Sequence, residues 1–263
     1  MTASIDFFLF DTHCHLDFGA FPQGASHYIE EAKHAGVEKL LLPSIGPNNW
    51  QQVMAIGNEH SNVYFGLGVH PYFLNDYSLG ALEELDMHLK ALPNQCVALG
   101  ECGLDFAVDV ERSKQETFFV NQLELAKKHQ LPLIVHERKS YNRLIQLIKQ
   151  HRFENGGVVH GFSGSEQQAN EWIKLGFYIG VGGTITYPRA KKTRTTIARL
   201  PLSRLVLETD APDMPFHGRQ GNVNHSKYLQ ALLDELSLIR KETKQSIASQ
   251  VWENSHKVFG ICE

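Results

Sequence analysis

Eight short apolar runs recur at fairly even intervals along the chain: "FFLFD", "KLLLPS", "VYFGLGVH", "CVALGE", "PLIVH", "GVVHGF", "FYIGVGG" and "RLVLETD". Runs of this length rich in branched and aromatic residues read as strands buried on both faces. Phe7 to Phe10 open the first of them. Between the runs lie amphipathic segments, such as those carrying Phe119, Leu123 and Ala126, or Leu229, Leu232, Leu233 and Leu236, at helical spacing. Eight strands alternating with helices, with no Pro/Gly/Ser-rich linker, predict a single α/β domain over residues 1–263, a (β/α)8 TIM-type barrel. The competing arrangement is an open doubly wound sheet. Its nucleotide-binding form loses support because no G-x-G-x-x-G or G-x-x-x-x-G-K-[ST] pattern follows a strand. Helix punctuation agrees with the division: Ser165 with Gln168 forms a capping box, and Gly36 and Gly176 stand where left-handed C-caps are needed. A further helix within "KETKQSIASQVWENSHKVFG" is expected to complete the outer layer.

The ends of these runs carry the residues that can bind metal. His13 and His15 follow the first run, His70 the third, Glu101 the fourth, His136 the fifth, His160 the sixth and Asp210 the eighth. In a barrel the C-terminal ends of all strands converge on one mouth, so residues distant in sequence share one site there. A strand would place His13 and His15 on the same side, with Cys14 turned away. Imidazole and carboxylate donors without thiolates suit zinc, manganese, iron or, less comfortably, magnesium. Even six of these seven donors exceed what one catalytic ion needs while keeping a position open, so two divalent metal ions are expected, with one carboxylate bridging them.

Four scattered cysteines, Cys14, Cys96, Cys102 and Cys262, show no paired or CxxC spacing, which argues against structural disulfides. Cys14 and Cys102 read as small packing residues. No charged-then-apolar leader follows Met1, and no apolar run approaches the ~18 residues of a membrane span, so a cytoplasmic protein is expected. No obligate protein partner is evident, and a monomer is expected. The net charge of −4 disfavours a uniformly basic surface for non-specific DNA binding. Between Glu171 and Glu208, however, no acidic residue occurs, while Arg189, Lys191, Lys192 and Arg194 cluster there. The loop after the seventh strand of a barrel is a frequent phosphate-contact site, and these four cations are candidates for a DNA backbone.

The motifs "DTHCHLD" (11–17), "GVHP" (68–71), "GECGLDF" (100–106), "VHER" (135–138), "HGFSGS" (160–165) and "ETDAPDMP" (208–215) occur in this order at the strand ends. Together they resemble the TatD family of metal-dependent deoxyribonucleases, within the amidohydrolase-like barrel superfamily. The "GRQG" at 218–221 is similar to a branch of hydrolases without an assigned substrate. The resemblance implies that His13, His15 and Asp210 hold one ion, that His136 and His160 hold the other, and that Glu101 bridges. Asp210 would also accept the proton of the nucleophilic water. His70 would face substrate or support a ligand, while Asp105, Arg138 and Ser163 become candidates for orienting ligands or touching a phosphate. Two departures from the family pattern touch the substrate side: Tyr72 stands where many members carry a histidine, and "GNVNHS" replaces an Arg-Asn-Glu-Pro stretch, with only Asn224 matched.

The activity so implied is hydrolysis of DNA phosphodiesters, in the 3′ to 5′ direction on single strands, by a water activated between two metals. The same centre could instead hydrolyse an ester or amide of a small molecule or an aminoacyl-tRNA ester. A protein that only stores metal or binds nucleic acid is less consistent with the presence of both Glu101 and Asp210.

Overall fold

A computed structural model of the chain describes residues 7–91 and 94–262. The residues ahead of Phe7, where a leader would begin, lie outside that range. Strands and helices alternate as β1 (Leu9–Asp11), α1 (Ala25–His34), β2 (Val37–Pro43), α2 (Pro47–Glu59), β3 (Val63–Leu67), α3 (Gly80–Lys90), β4 (Cys96–Asp105), α4 (Arg112–His129), β5 (Leu133–Arg138), α5 (Tyr141–Gln150), β6 (Gly157–Val159), α6 (Glu166–Lys174), β7 (Phe177–Val181), α7 (Lys191–Arg199), β8 (Leu205–Leu207), α8 (Leu229–Arg240) and α9 (Lys244–Phe259). The strands are parallel and pair in sequence order from β1 to β8. Chain segments just beyond β1 meet β8 again: Thr12 N–H donates to Leu207 O at 3.0 Å, and Asp210 N–H to His13 O at 2.9 Å. This is the expected (β/α)8 barrel.

The barrel interior is filled by Phe10, Leu41, Val97, Ala98, Ile134, Val158, Tyr178 and Val206, with Phe259 of α9 packed against them. It is a packed core rather than a pore, so chemistry belongs at the mouth. The helices bury their apolar stripes on the outside of the strands. Phe119, Leu123 and Ala126 of α4 and Leu229, Leu232, Leu233 and Leu236 of α8 are all fully buried, as their spacing predicts. The capping box closes, with Gln168 N–H on Ser165 Oγ at 3.3 Å and Ser165 N–H on Gln168 Oε1 at 2.8 Å. Gly36 and Gly176 adopt φ of +84° and +88° just past their helices, where a side chain would be strained. All four cysteines are free thiols, and Cys14 and Cys102 are buried. No helix among the described residues is long and apolar enough to cross a membrane.

The first run departs from expectation. Regular pairing begins only at Leu9, Phe7 is half-buried and Phe8 is 55% exposed, beside Trp252 at 6.2 Å between ring centroids. Burial on both faces holds only where neighbouring strands and helices reach, and β1 enters the barrel later than its apolar run starts.

Candidate metal centre

β1 ends at Asp11, so His13 and His15 do not lie on a strand, and alternation is not what brings them together. The segment after β1 is pinned across the barrel seam instead. The buried Asp11 carboxylate accepts Thr209 N–H at 2.9 Å and Thr209 Oγ–H at 2.6 Å, and Cys14 forms an isolated parallel bridge with Ala211. The outcome is nevertheless convergence: His13 Nε2 and His15 Nε2 face each other at 3.2 Å.

Glu101 lies at the focus, inside β4 rather than beyond it. Its N–H donates to Ser44 O at 3.0 Å, tying β4 to the end of β2. Gly68 lets the adjoining backbone approach, since a Cβ there would sit 2.7 Å from Gly100 backbone atoms. The Glu101 carboxylate, almost fully buried, is ringed by five imidazoles. Its Oε2 is 3.2 Å from His13 Nε2 and 3.9 Å from His15 Nε2. Its Oε1 is 3.0 Å from His136 Nδ1, 3.3 Å from His70 Nε2 and 3.7 Å from His160 Nε2. Asp210 Oδ1 approaches His13 and His15 at 3.6 and 3.8 Å.

Two further carboxylates stand behind the histidines. Asp105 Oδ2 lies 3.1 Å from His136 Nε2, leaving Nδ1 to face the centre. Glu208 Oε1 lies 3.2 Å from His160 Nδ1 and accepts Gly161 N–H at 2.5 Å. Glu208 is 0% exposed, and Gly180 of β7 makes the room for it, because a Cβ there would collide with the Glu208 carboxylate. Such outer contacts fix the ring orientation and tautomer of a ligand histidine.

The electrostatics follow from this crowding. Burial opposes the charge on Glu101, yet His70, His13 and His160 outweigh it and hold the carboxyl well below the usual range. Burial likewise opposes protonation of His160, but Asp210, Glu208 and Glu101 push it up to about 10. His136 rises to about 8, Asp105 and Glu101 overcoming its burial. His15 falls to about 3 through burial and the neighbouring His13. Asp210 is pushed up to about 6 by burial, against the pull of His160 and His13.

Among the described residues three overlapping groups of donor atoms, each within 4.8 Å of one another, emerge: His13, His160 and Asp210; His13, His15 and Glu101; and His70, Glu101 and His136. Facing imidazole nitrogens around buried carboxylates are the donor chemistry of a divalent cation site, so these residues fit metal. The expected division is compatible with these distances, since Asp210 Oδ1 stands near both His13 and His15 and Glu101 Oε1 near both His136 and His160. The overlapping groups also bring His160 beside His13 and Asp210, and His70 beside His136.

The centre opens into a cavity of about 280 Å3 at the mouth, whose wall includes Phe18, Ile45, Tyr72, Phe73 and Asp213. The remaining candidates lie outside it. Arg138, 62% exposed at the end of β5, has Nη1 3.8 Å from Asp105 Oδ2, and Ser163 is exposed in the loop before α6. Arg189 lies over the Tyr187 ring at 5.3 Å, and Lys191 and Lys192 are exposed at the start of α7. Arg194 is turned away from them: its guanidinium pairs with Glu235 of α8 and donates to Ile185 O, so it is committed to helix packing. Asn224 donates to Thr209 O at 2.9 Å and Met214 O at 3.3 Å and thereby holds the turn carrying Asp210. Glu208, Phe18, Phe73 and Asp213 had no role assigned from sequence. Glu208 and Asp213 carried a signal, their place in the acidic motif after β8.

A family model described as TatD related DNase matches residues 10–260. An Escherichia coli K12 protein named as the metal-dependent hydrolase YjjV is 42% identical over 252 residues, covering 95% of this chain and 97% of that protein. Its crystal structure superposes with a TM-score of 0.93, covering 97% and 98% of the two chains. A Rahnella protein named 3′-5′ ssDNA/RNA exonuclease TatD is 30% identical over 262 residues, covering 96% of this chain and 98% of its own.

Proposed function

The chain belongs to the TatD family and is a metal-dependent hydrolase, and from that premise we propose that it is a deoxyribonuclease removing nucleotides from the 3′ end of single strands with two divalent ions. The observation that carries this reading is the sharing of Glu101 between two donor groups, with Asp210 in a third, around one open cavity. His13, His15, His70, His136, His160, Glu101 and Asp210 would hold the ions, in the manner of a two-metal site. Bound there, the ions would supply a water that ionises near neutral pH and positive charge against a reacting phosphodiester.

The chain's own residues do the rest. Asp210 is positioned to take the proton from the attacking water as the new P–O bond forms, and to return it to the departing 3′ oxygen as the old P–O bond breaks. Burial pushes its carboxyl up to about 6 in the metal-free protein, and bound cations would favour the ionised form that accepts a proton. Asp105 and Glu208 hold the His136 and His160 rings in place. The Rahnella relative's name supports a nucleic-acid substrate.

The small volume of the cavity favours a second reading, hydrolysis of a small ester or amide or of an aminoacyl ester on tRNA. The deciding experiment is turnover by metal-reconstituted protein on end-labelled DNA, RNA and small ester or amide substrates. Release of nucleotides from a 3′-ended DNA strand is expected, with Asp210→Asn lowering turnover by about 10² or more at nearly unchanged substrate affinity. Turnover confined to a small ester or amide would replace this reading with the second.

A further inference from the structure

The mouth of the barrel is divided by chemistry. The loops after β1, β2, β3 and β4, residues 12–24, 44–46, 68–79 and 106–111, contain no lysine or arginine, and Arg112 at the start of α4, over the Phe106 ring at 4.5 Å, is not part of the cavity wall. On the other half, Arg138 ends β5 and Arg189, Lys191 and Lys192 follow β7. Where it meets the cavity, the β1–β4 half carries no lysine or arginine and is aromatic. Phe18 stacks on His15 with ring centroids 4.7 Å apart and planes at 17°. Phe73 lies 5.8 Å from the His70 ring, and Tyr72 lies 5.0 Å from Phe73. Tyr72 is 57% exposed, its ring standing at the rim. The turn Pro71–Asp76 ties these side chains to the centre: Tyr72 N–H donates to His70 Nδ1 at 3.1 Å, while His70 Nε2 faces Glu101.

A wall without cations gives a phosphate no counter-charge, but it suits a flat ring. Every nucleobase offers a π-face, so stacking on aromatic side chains holds single strands without regard to sequence. A cavity of about 280 Å3 lies at or below the small end of ligand sites, about 300–1,000 Å3, and accommodates one unit of a chain. We propose that Phe18, Tyr72 and Phe73 form the stacking platform for the base of the nucleotide being released, so that the strand ends on the β1–β3 side of the mouth and its upstream phosphates run toward the β7 side. This rests on the nuclease reading above and adds which half of the mouth holds the strand's end.

The test compares a single-stranded oligonucleotide having a natural 3′-terminal base with one ending in an abasic nucleotide, both cleaved by metal-loaded protein. The base-bearing strand should be preferred about tenfold in kcat/KM. Tyr72→Ala should bring that ratio close to one, and Tyr72→Trp should keep it. Binding supplies a second readout: 2-aminopurine at the 3′ end should be quenched on binding to the Asp210→Asn protein, and not when Tyr72→Ala is added. If DNA is hydrolysed with equal efficiency whether or not the terminal base is present, the platform is wrong and the nuclease reading stands. If the protein neither hydrolyses nor binds DNA, both fall.

Discussion

Loading the centre with two divalent ions should expel about two protons per chain from its ligands at pH 7 and about one fewer at pH 9. A histidine cannot donate a lone pair from a nitrogen that carries a proton, so every protonated ligand must first release one. In the metal-free protein, carboxylates overcome burial to push His160 up to about 10 and His136 up to about 8. At pH 7 His160 is then fully protonated and His136 about nine-tenths so, whereas at pH 9 His136 has fallen to about one-tenth. Asp210, pushed up to about 6, adds only about a tenth of a proton at pH 7. A water that ionises on loading adds up to one further proton, more of it at pH 9 than at pH 7, so the diagnostic is the difference between the wild type and a histidine variant, in which the water cancels. The assay is calorimetric titration of manganese into metal-free protein in buffers of different ionisation enthalpy, the slope of observed enthalpy giving the proton count. Near pH 7 the logarithm of the overall affinity should rise by about two per pH unit. His160→Ala should lower the release at both pH values by about one. Two ions bound with a release that His160→Ala leaves unchanged would refute the reasoning, since it would mean that Asp210, Glu208 and Glu101 do not hold this imidazole charged.

Glu101→Ala should lose more bound metal by elemental analysis than His13→Ala or His136→Ala, because Glu101 is shared between two donor groups; a wild type holding one ion, unaffected by His136→Ala, would overturn the binuclear arrangement. Replacing Arg189, Lys191 and Lys192 together with alanine should raise KM for an oligonucleotide and flatten its salt dependence by about 0.7 in log–log slope for each phosphate no longer neutralised. Arg194→Ala should leave KM unchanged and lower stability by about 1–2 kcal/mol in denaturant titration, since its partners are Glu235 and Ile185 O. His225 is held down to about 4 by burial and by Lys227, with Glu31 opposing. Its folded value lies below its unfolded one, so its contribution to stability is full above about pH 6.5 and is lost as pH falls toward 4. Between pH 7 and pH 4.5 the metal-free wild type should lose about 2–3 kcal/mol more than His225→Gln.

Much of the architecture was legible because it follows from local rules. Alternating apolar runs and amphipathic segments leave a parallel chain little choice but to set each strand beside the last, and parallel strands put all their C-terminal ends on one face. His13, His15, Glu101, His136, His160 and Asp210 could therefore be assigned to one mouth without knowing any distance. Distances across that mouth are another matter. That His70 Nε2 stands 3.3 Å from Glu101, and that Glu208 is sealed behind His160, depend on how far each loop swings inward and on gaps left by Gly68 and Gly180. A run of cations looks the same in sequence whether it faces a substrate or a neighbouring helix, and only the packing of α7 on α8 turned Arg194 to Glu235 while leaving Arg189 exposed over Tyr187. Periodicity along the chain thus determined the fold and the company the ligands keep. Their pairing was decided by the tertiary structure, because contact between elements separated by dozens of residues is set by the closure of the barrel and by side-chain volume.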